Sequence, residues 1–188
     1  MPLNVPNLVT LLRILLIPLI VGVFYVPDAW MSDGAKNTAA TGVFVFAAIT
    51  DWLDGYLARR LNQMSAFGAF FDPVADKLVV VGALIVLLKL GRVDMVVGLI
   101  IIGREIAISA LREWMATVGR AKSVAVAFVG KLKTVLQMVA IPLLLFEDRL
   151  FGLIDCYALG TVLIYVAALL TVVSMLYYLR QALPPAQG

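Results

Sequence analysis

The chain has 188 residues, of which 63% are hydrophobic and 14% are charged, and its formal net charge at pH 7 is +3. Soluble domains are about half apolar, so a water-exposed protein of this composition would carry large apolar patches. The sequence contains no histidine and a single cysteine, Cys156. These counts exclude an intrachain disulfide, histidine acid–base catalysis and most zinc sites, which leaves carboxylates, lysine, arginine, hydroxyls and hard metal ions.

Six apolar runs follow one another along the chain, and each approaches the ~20 residues that a helix needs to cross a bilayer. They cover residues 8–27, 38–58, 68–89, 93–115, 127–146 and 153–179. The first run lacks the basic start and the cleavage site of a signal peptide, so we expect it to remain as a span. We therefore predict an all-α integral membrane protein with six transmembrane helices and a single domain over residues 1–188. A soluble helical bundle is the alternative.

The placement of charged residues predicts how these spans are oriented. Lysine and arginine dominate on the side that holds both termini and the turns at 59–67 and 116–126. On the opposite side, acidic residues balance the basic ones. Because cytoplasmic loops carry an excess of lysine and arginine, we predict that both termini are cytoplasmic.

The second and third spans meet in DWLDGYLARRLNQMSAFGAFFDPVADK, residues 51–77, which places four aspartates in an apolar region. Because a helix turns about 100° per residue, the acidic and small residues of each span fall on one face. These residues are Asp51, Asp54, Gly55 and Ala58 in the second span and Gly68, Asp72 and Asp76 in the third. A turn around residues 62–66 would bring the two faces together near the cytoplasmic surface.

Four carboxylates at one place repel one another unless one is protonated or cations lie between them. Carboxylate oxygens with no nitrogen or sulfur ligand nearby suit Mg²⁺ or Mn²⁺ better than zinc. Four of them could hold two ions, an arrangement that typically clamps phosphate oxygens. The alternative is that aspartates cap helices or are merely solvated, with Pro73 starting a helix after an Asp cap. Capping accounts for one or two aspartates and does not account for four on matched faces.

The pattern Asp51-x2-Asp54-Gly55-x2-Ala58-Arg59-x8-Gly68-x3-Asp72-x3-Asp76 resembles the signature of the CDP-alcohol phosphotransferase family at all of its positions. The resemblance implies a six-span enzyme of phospholipid biosynthesis in the bacterial cytoplasmic membrane, usually a homodimer, with its metal site facing the cytoplasm. It implies that the four aspartates hold the metal ions and that Asp76 is the general base. It also implies a binding site for CDP-diacylglycerol made by Asp51, Asp54, Gly55, Ala58, Arg59 and Gly68.

Basic residues in the fourth and fifth spans point to the second substrate. In GREIAISALREWMA, Arg104, Glu105 and Arg112 fall within an arc of about 100°. Lys131 and Lys133 in FVGKLKTVLQM lie about 200° apart, so only one of them can point squarely at a common site. Buried arginines need an anion, although Glu105 could also simply pair with Arg112.

The N-terminal segment NVPNLVTLLR adds Asn7, Thr10 and Arg13 at three-residue intervals. Positive charge beside the donor site suits an acceptor with its own phosphate, so we predict that these residues, with Arg104, Arg112, Lys131 and Lys133, bind glycerol-3-phosphate. Arg13 could instead be a topology charge. Residues 3 to 145 also resemble the bacterial branch of the family that uses this acceptor.

Two other functions stay open from the sequence. One is the same chemistry with another acceptor, such as phosphatidylglycerol or inositol phosphate. The other is a divalent-cation or proton-coupled transporter, because carboxylates within spans also mark ion pathways. A transporter should carry polar groups through the bilayer midplane, whereas these acids cluster at the cytoplasmic end. We expect membrane lipids and no nucleic acid as further partners.

Overall fold

The chain folds into α-helices joined by short connections. The computed structural model describes residues 5–61, 66–117 and 128–182, and six α-helices lie within those ranges. Their bounds are α1 Val5–Gly22, α2 Asp33–Leu61, α3 Ala66–Lys89, α4 Met95–Thr117, α5 Phe128–Phe146 and α6 Cys156–Ala182. A 3-10 turn at Val23–Tyr25 follows α1, and two paired antiparallel strands, β1 (Arg149–Leu150) and β2 (Ile154–Asp155), separate α5 from α6. The all-α prediction is confirmed, and each predicted apolar run overlaps one helix.

The helices pack in a closed ring. Helix α1 packs against α2 and α3, α2 packs against α5, α5 against α6, α6 against α4, and α4 against α3. Helix α1 therefore lies between the two helices that carry the aspartates. The core of the ring is mainly aliphatic, and its fully buried residues include Leu84, Leu87, Ile101, Ile141 and Leu144.

Two glycines allow helices to approach closely. A Cβ atom added at Gly82 in α3 would lie 2.9 Å from Cγ2 of Ile17 in α1. A Cβ atom added at Gly160 in α6 would lie 2.8 Å from Cγ of Leu144 and 3.2 Å from the carbonyl oxygen of Ala140 in α5. Since contacts that short are repulsive, these positions favour glycine for packing rather than for backbone conformation.

The glycine that follows α3, Gly91, is favoured for its backbone conformation rather than for packing. Gly91 has φ +69°, the left-handed conformation that glycine adopts most readily. The Arg92 N–H donates to the Leu87 carbonyl at 2.9 Å and the Gly91 N–H donates to the Leu88 carbonyl at 3.1 Å. These paired hydrogen bonds form a Schellman motif, which satisfies the last carbonyls of the helix and turns the chain toward α4.

Aspartates do cap helices in this protein, but at other positions than those of the 51–77 stretch. The Asp94 carboxylate accepts from the Val96 N–H at 2.8 Å at the start of α4, and Asp155 accepts from the Ala158 N–H at 2.9 Å at the start of α6. Pro73 lies inside α3, seven residues after its start. The alternative in which Pro73 starts a helix behind an Asp cap is therefore wrong.

Arg92 fastens the end of the ring that is remote from the 51–77 stretch. Its guanidinium donates to the carbonyls of Leu144 at 3.2 Å and Leu145 at 2.9 Å, the last turn of α5. It also donates to Asn37 Oδ1 at 2.9 Å and pairs with Glu147 Oε2 at 2.5 Å. Burial lowers the pKa of the Arg92 guanidinium, and the charge of Glu147 opposes that shift. This network joins α2, the α3–α4 connection and α5.

Large aliphatic side chains face outward on every described helix. Examples are Leu15, Ile49, Ile85, Leu99, Val135 and Leu169, each more than half exposed. By length and composition, Cys156–Tyr177 in α6 is the stretch among the described residues that could cross a membrane, and Thr10–Tyr25 is a shorter apolar stretch. Charged side chains interrupt the apolar character of the other helices. Six transmembrane spans therefore stay a prediction.

Candidate active site

A cavity of about 500 Å³ opens between α1, α2, α3, α4 and α5. Charged side chains line it on two sides. The aspartate wall is formed by Arg13 of α1, Asp51 of α2 and Asp76 of α3. The basic wall is formed by Arg104 and Glu105 of α4 and Lys133 of α5. The sequence predicted the aspartates and the basic residues as separate groups, and in the structure both groups line the same cavity.

Arg13 holds the aspartate wall together. Its Nη1 donates to Asp51 Oδ1 at 2.8 Å and also contacts Asp76 Oδ1. The Arg13 side chain is 1% exposed, whereas those of Asp51 and Asp76 are 46% and 41% exposed. One buried cation therefore reduces the repulsion between two carboxylates that stay open to the cavity. The predicted convergence of the second and third spans is seen at these two residues.

Thr10 makes a matching contact one turn before Arg13. Its hydroxyl donates to Asp72 Oδ1, and the Thr10 side chain is buried. Because residues three apart lie on one face of a helix, α1 reaches aspartates on both of its neighbours. Sequence analysis predicted that Thr10 and Arg13 bind the acceptor. Their described contacts are with the aspartates, and their binding of the acceptor stays a prediction.

The basic wall centres on a carboxylate. Glu105 accepts from Lys133 Nζ and from Arg104 Nη1, the latter at 3.2 Å. Arg104 Nη2 lies 3.5 Å from Ser174 Oγ of α6. Arg104 and Lys133 are both buried, at 7% and 2% exposure. The described partners of Glu105 are thus these two cations, and the side chain of Arg112 lies outside the described residues.

The two lysines of α5 differ as their spacing predicts. Lys133 is buried against Glu105, whereas Lys131 is exposed and borders the same cavity. Because the two directions are about 200° apart on a helix, one lysine occupies the wall while the other points toward solvent. Both lysines line the cavity, so which of them contacts the acceptor stays a prediction.

Several predicted site residues cannot be placed. The side chains of Asn7, Asp54, Gly55, Ala58, Arg59, Gly68 and Arg112 lie outside the described residues. Of the backbone, the described part shows that 54–59 belong to α2 and 68 to α3. Among the described side chains, no group of three or more acidic or cysteine residues is arranged to hold a metal ion. The roles of these seven residues stay predictions.

An apolar groove adjoins the cavity. It lies between α2 and α5, has a volume of about 280 Å³, and is lined by Phe44, Val45, Ala48, Ile49, Met138 and Pro142. Ala48 and Met138 line both spaces, so the groove continues from the charged cavity along the aliphatic surface of the ring. One continuous surface thus offers charged and apolar environments side by side.

Sequence analysis missed two polar residues near the site. Gln137 is buried and lines the cavity, and Ser174 is buried beside Arg104. Gln137 lies four residues after Lys133 in α5, so helical spacing alone could have placed it on the same face. Ser174 had no such signal, because its partner Arg104 is 70 positions away.

Comparison with known proteins gives one consistent result. The sequence profile described as CDP-alcohol phosphatidyltransferase matches residues 3–173. A Salmonella choleraesuis protein named CDP-diacylglycerol–glycerol-3-phosphate 3-phosphatidyltransferase is 49% identical over 184 residues, which cover 97% of this chain and 96% of that protein. Proteins of the same name from Escherichia coli and Shigella flexneri are 48% and 47% identical with the same coverage.

Proposed function

Because the chain belongs to the CDP-alcohol phosphatidyltransferase family, we propose that it transfers the phosphatidyl group of CDP-diacylglycerol to glycerol-3-phosphate. The products are phosphatidylglycerol phosphate and CMP. The observation that carries this proposal is the single cavity in which aspartates face a buried basic wall. A donor that needs metal-bound phosphates and an acceptor that carries a phosphate would meet there.

The acceptor hydroxyl attacks the phosphorus that bears the diacylglycerol group, and the bond from that phosphorus to CMP breaks. Asp76 takes the hydroxyl proton, because its carboxylate is open to the cavity. Arg104 and Lys133 hold the phosphate of glycerol-3-phosphate by charge-assisted hydrogen bonds. Arg13 and Thr10 act on the other wall, where they orient Asp51, Asp76 and Asp72.

Hard divalent cations prefer oxygen ligands, and the carboxylates of Asp51, Asp72 and Asp76 are ligands of that kind. They offer oxygen donors alone, and Asp51 and Asp76 already share one cationic group in Arg13. We propose that Asp51, Asp72, Asp76 and, from its place in the sequence motif, Asp54 hold two Mg²⁺ or Mn²⁺ ions. When bound, such ions would neutralise pyrophosphate charge and stabilise the departing CMP.

The apolar parts of the molecule support a membrane enzyme. The groove between α2 and α5 opens from the cavity and offers an aliphatic surface to the acyl chains of the donor. Outward-facing leucine, isoleucine and valine side chains on all six helices would meet water in a soluble protein, which is unfavourable. We therefore propose six spans in the bacterial cytoplasmic membrane, with the cavity facing the cytoplasm. The homodimer that the family resemblance implies remains part of this proposal.

An acceptor panel tests the substrate assignment. Purified protein in mixed micelles with CDP-diacylglycerol and Mg²⁺ is given glycerol-3-phosphate, glycerol, inositol phosphate or phosphatidylglycerol, and the lipid products are identified by mass spectrometry. We expect phosphatidylglycerol phosphate from the first acceptor and at most traces from the others. Faster product formation from inositol phosphate or phosphatidylglycerol would assign the protein to another acceptor.

A further inference from the structure

We propose that Glu105 is a positioning residue for the acceptor phosphate, which acts by holding Lys133 Nζ in place on the basic wall. This inference rests on the proposed function, because it deepens the role of the same cavity. Glu105 itself would not touch the substrate.

The contacts of Glu105 carry the proposal. Its carboxylate is 17% exposed and accepts from Lys133, whose side chain is 2% exposed. A lysine side chain is flexible and loses conformational freedom when it is held in one place. An ion pair at the cavity wall therefore fixes Nζ before the substrate arrives, which reduces the ordering cost of binding.

Arg104 contacts a residue on a further helix in addition to Glu105. Its guanidinium contacts Glu105 at 3.2 Å, and it also reaches Ser174 on α6 at 3.5 Å. The planar guanidinium holds its N–H donors in a fixed arrangement, whereas the ammonium of a lysine sits at the end of a flexible stem. Lys133 is thus the cation whose placement gains more from an ion pair with Glu105.

The net charge of the basic wall also supports a positioning role for Glu105. Two buried cations and one carboxylate leave a surplus of one positive charge beside Lys131, which is exposed at the same cavity. Among the described side chains, the other charged groups that line this space lie on α1, α2 and α3 and are Arg13, Asp51, Asp76 and Lys77. A phosphate would find a compensated, pre-formed cation pair rather than two mutually repelling charges. Without Glu105, Lys133 and Arg104 would lose the carboxylate that reduces their mutual repulsion.

The first test uses Glu105→Gln, with Glu113→Gln as the matched control, since Glu113 is an exposed carboxylate on the same helix. We expect Glu105→Gln to raise the KM for glycerol-3-phosphate about tenfold, the loss of one charged hydrogen bond. The KM for CDP-diacylglycerol should stay within about twofold, and Glu113→Gln should match wild type. Equal increases in both KM values would overturn the positioning role.

The second test removes the lysine, so that Glu105→Gln is made in a protein that has no buried lysine beside position 105. Lys133→Met is compared with the Lys133→Met, Glu105→Gln double variant, which deletes both partners of the pair. If Glu105 acts through Lys133, the double variant has a KM for glycerol-3-phosphate within about threefold of Lys133→Met alone, because coupled residues are not additive. A further tenfold increase would show that Glu105 acts by another route. If wild-type protein does not turn over glycerol-3-phosphate at all, the proposed function fails and not this inference alone.

Discussion

Asp76 is the residue on which the proposed chemistry depends most directly, because its carboxylate faces the cavity beside Asp51 and Arg13. Asp76→Asn keeps the size of the side chain and removes the base and a metal-binding charge. We expect the protein to fold and insert and to lose at least about 100-fold in CMP release. Asp94→Asn, which changes an exposed helix cap, is the control and should keep wild-type turnover. Near-normal turnover of Asp76→Asn would refute the base assignment.

Arg104 tests how far the acceptor pocket reaches into the ring. It lies eight residues before Arg112, which is about 12 Å along the helix, and it lines the cavity. Arg104→Ala should raise the KM for glycerol-3-phosphate roughly 30- to 150-fold by loss of a charged hydrogen bond worth about 2–3 kcal/mol. The KM for CDP-diacylglycerol should change far less. Arg149→Ala, at an exposed position between α5 and α6, should change neither value. An unchanged KM for glycerol-3-phosphate in Arg104→Ala would make this arginine a structural ion-pair partner.

Several residues that the sequence predicted for the site line one cavity in the structure, but the sequence did not predict all of their partners. Helical spacing placed Asp72 with Asp76 on one stripe and separated Lys131 from Lys133, because both arguments need only the geometry of one helix. It could not pair Thr10 with Asp72 or Arg13 with Asp51, since these contacts join residues 62 and 38 positions apart. Such pairs depend on which helices become neighbours in the ring.

At the level of helices, the close approach of α5 and α6 depends on Gly160. A Cβ atom there would lie 2.8 Å from Leu144 Cγ, so Gly160→Ala must displace buried atoms. We expect it to destabilise the fold by about 1–3 kcal/mol. Gly42→Ala in α2 is the matched control, because a Cβ atom at Gly42 meets nothing within 4 Å. That variant should be neutral or stabilise by up to about 1 kcal/mol. Thermal unfolding in detergent measures both, and equal stability of the two variants would contradict the packing assigned to Gly160.

The Arg92 network gives a prediction for the end of the ring remote from the cavity. Arg92→Met keeps much of the apolar length of the side chain and removes its hydrogen bonds to α5, Asn37 and Glu147. We expect the free energy of unfolding to fall by about 2 kcal/mol, since buried acceptors lose their donor. Both KM values should stay at wild-type levels. A change in either KM without a loss of stability would mean that this network communicates with the site.

The helices themselves were predictable and their neighbours were not. Apolar runs separated by charged or glycine-containing connections gave the position of each helix, because burial or lipid contact requires those runs. Two features of the helix packing could not be predicted from the apolar runs. The insertion of α1 between α2 and α3 and the packing of α6 on α4 depend on side-chain fit across the whole ring.

For the whole molecule, the proposed orientation can be tested by labelling. Cys156 is the single cysteine of the sequence, so Cys156→Ser gives a background without thiols. In that background, Asp94→Cys lies in the connection from α3 to α4, and Ala121→Cys lies where the sequence predicts the 116–126 turn. A maleimide that cannot cross membranes should label Asp94→Cys in intact spheroplasts and Ala121→Cys only after permeabilisation, as the positive-inside rule predicts. The reverse pattern would invert the topology and place the cavity outside.

An enzyme and a transporter also differ at the scale of the whole molecule. The charged cavity lies toward one end of the ring, and the described residues deeper in the ring include the aliphatic core at Leu84, Leu87 and Leu144. Polar groups reappear at the Arg92 network. Such an arrangement favours a reaction at one membrane surface over a path across the membrane.

The most direct measurement is the rate of CMP release by purified protein supplied with CDP-diacylglycerol, with Mg²⁺ and glycerol-3-phosphate each added or omitted. The two-walled cavity predicts rapid release only when both are present, because the aspartates need the cation to bind the donor and the hydroxyl must come from the acceptor. Release that does not depend on glycerol-3-phosphate, or no release under any of the four conditions, would contradict the proposed transferase.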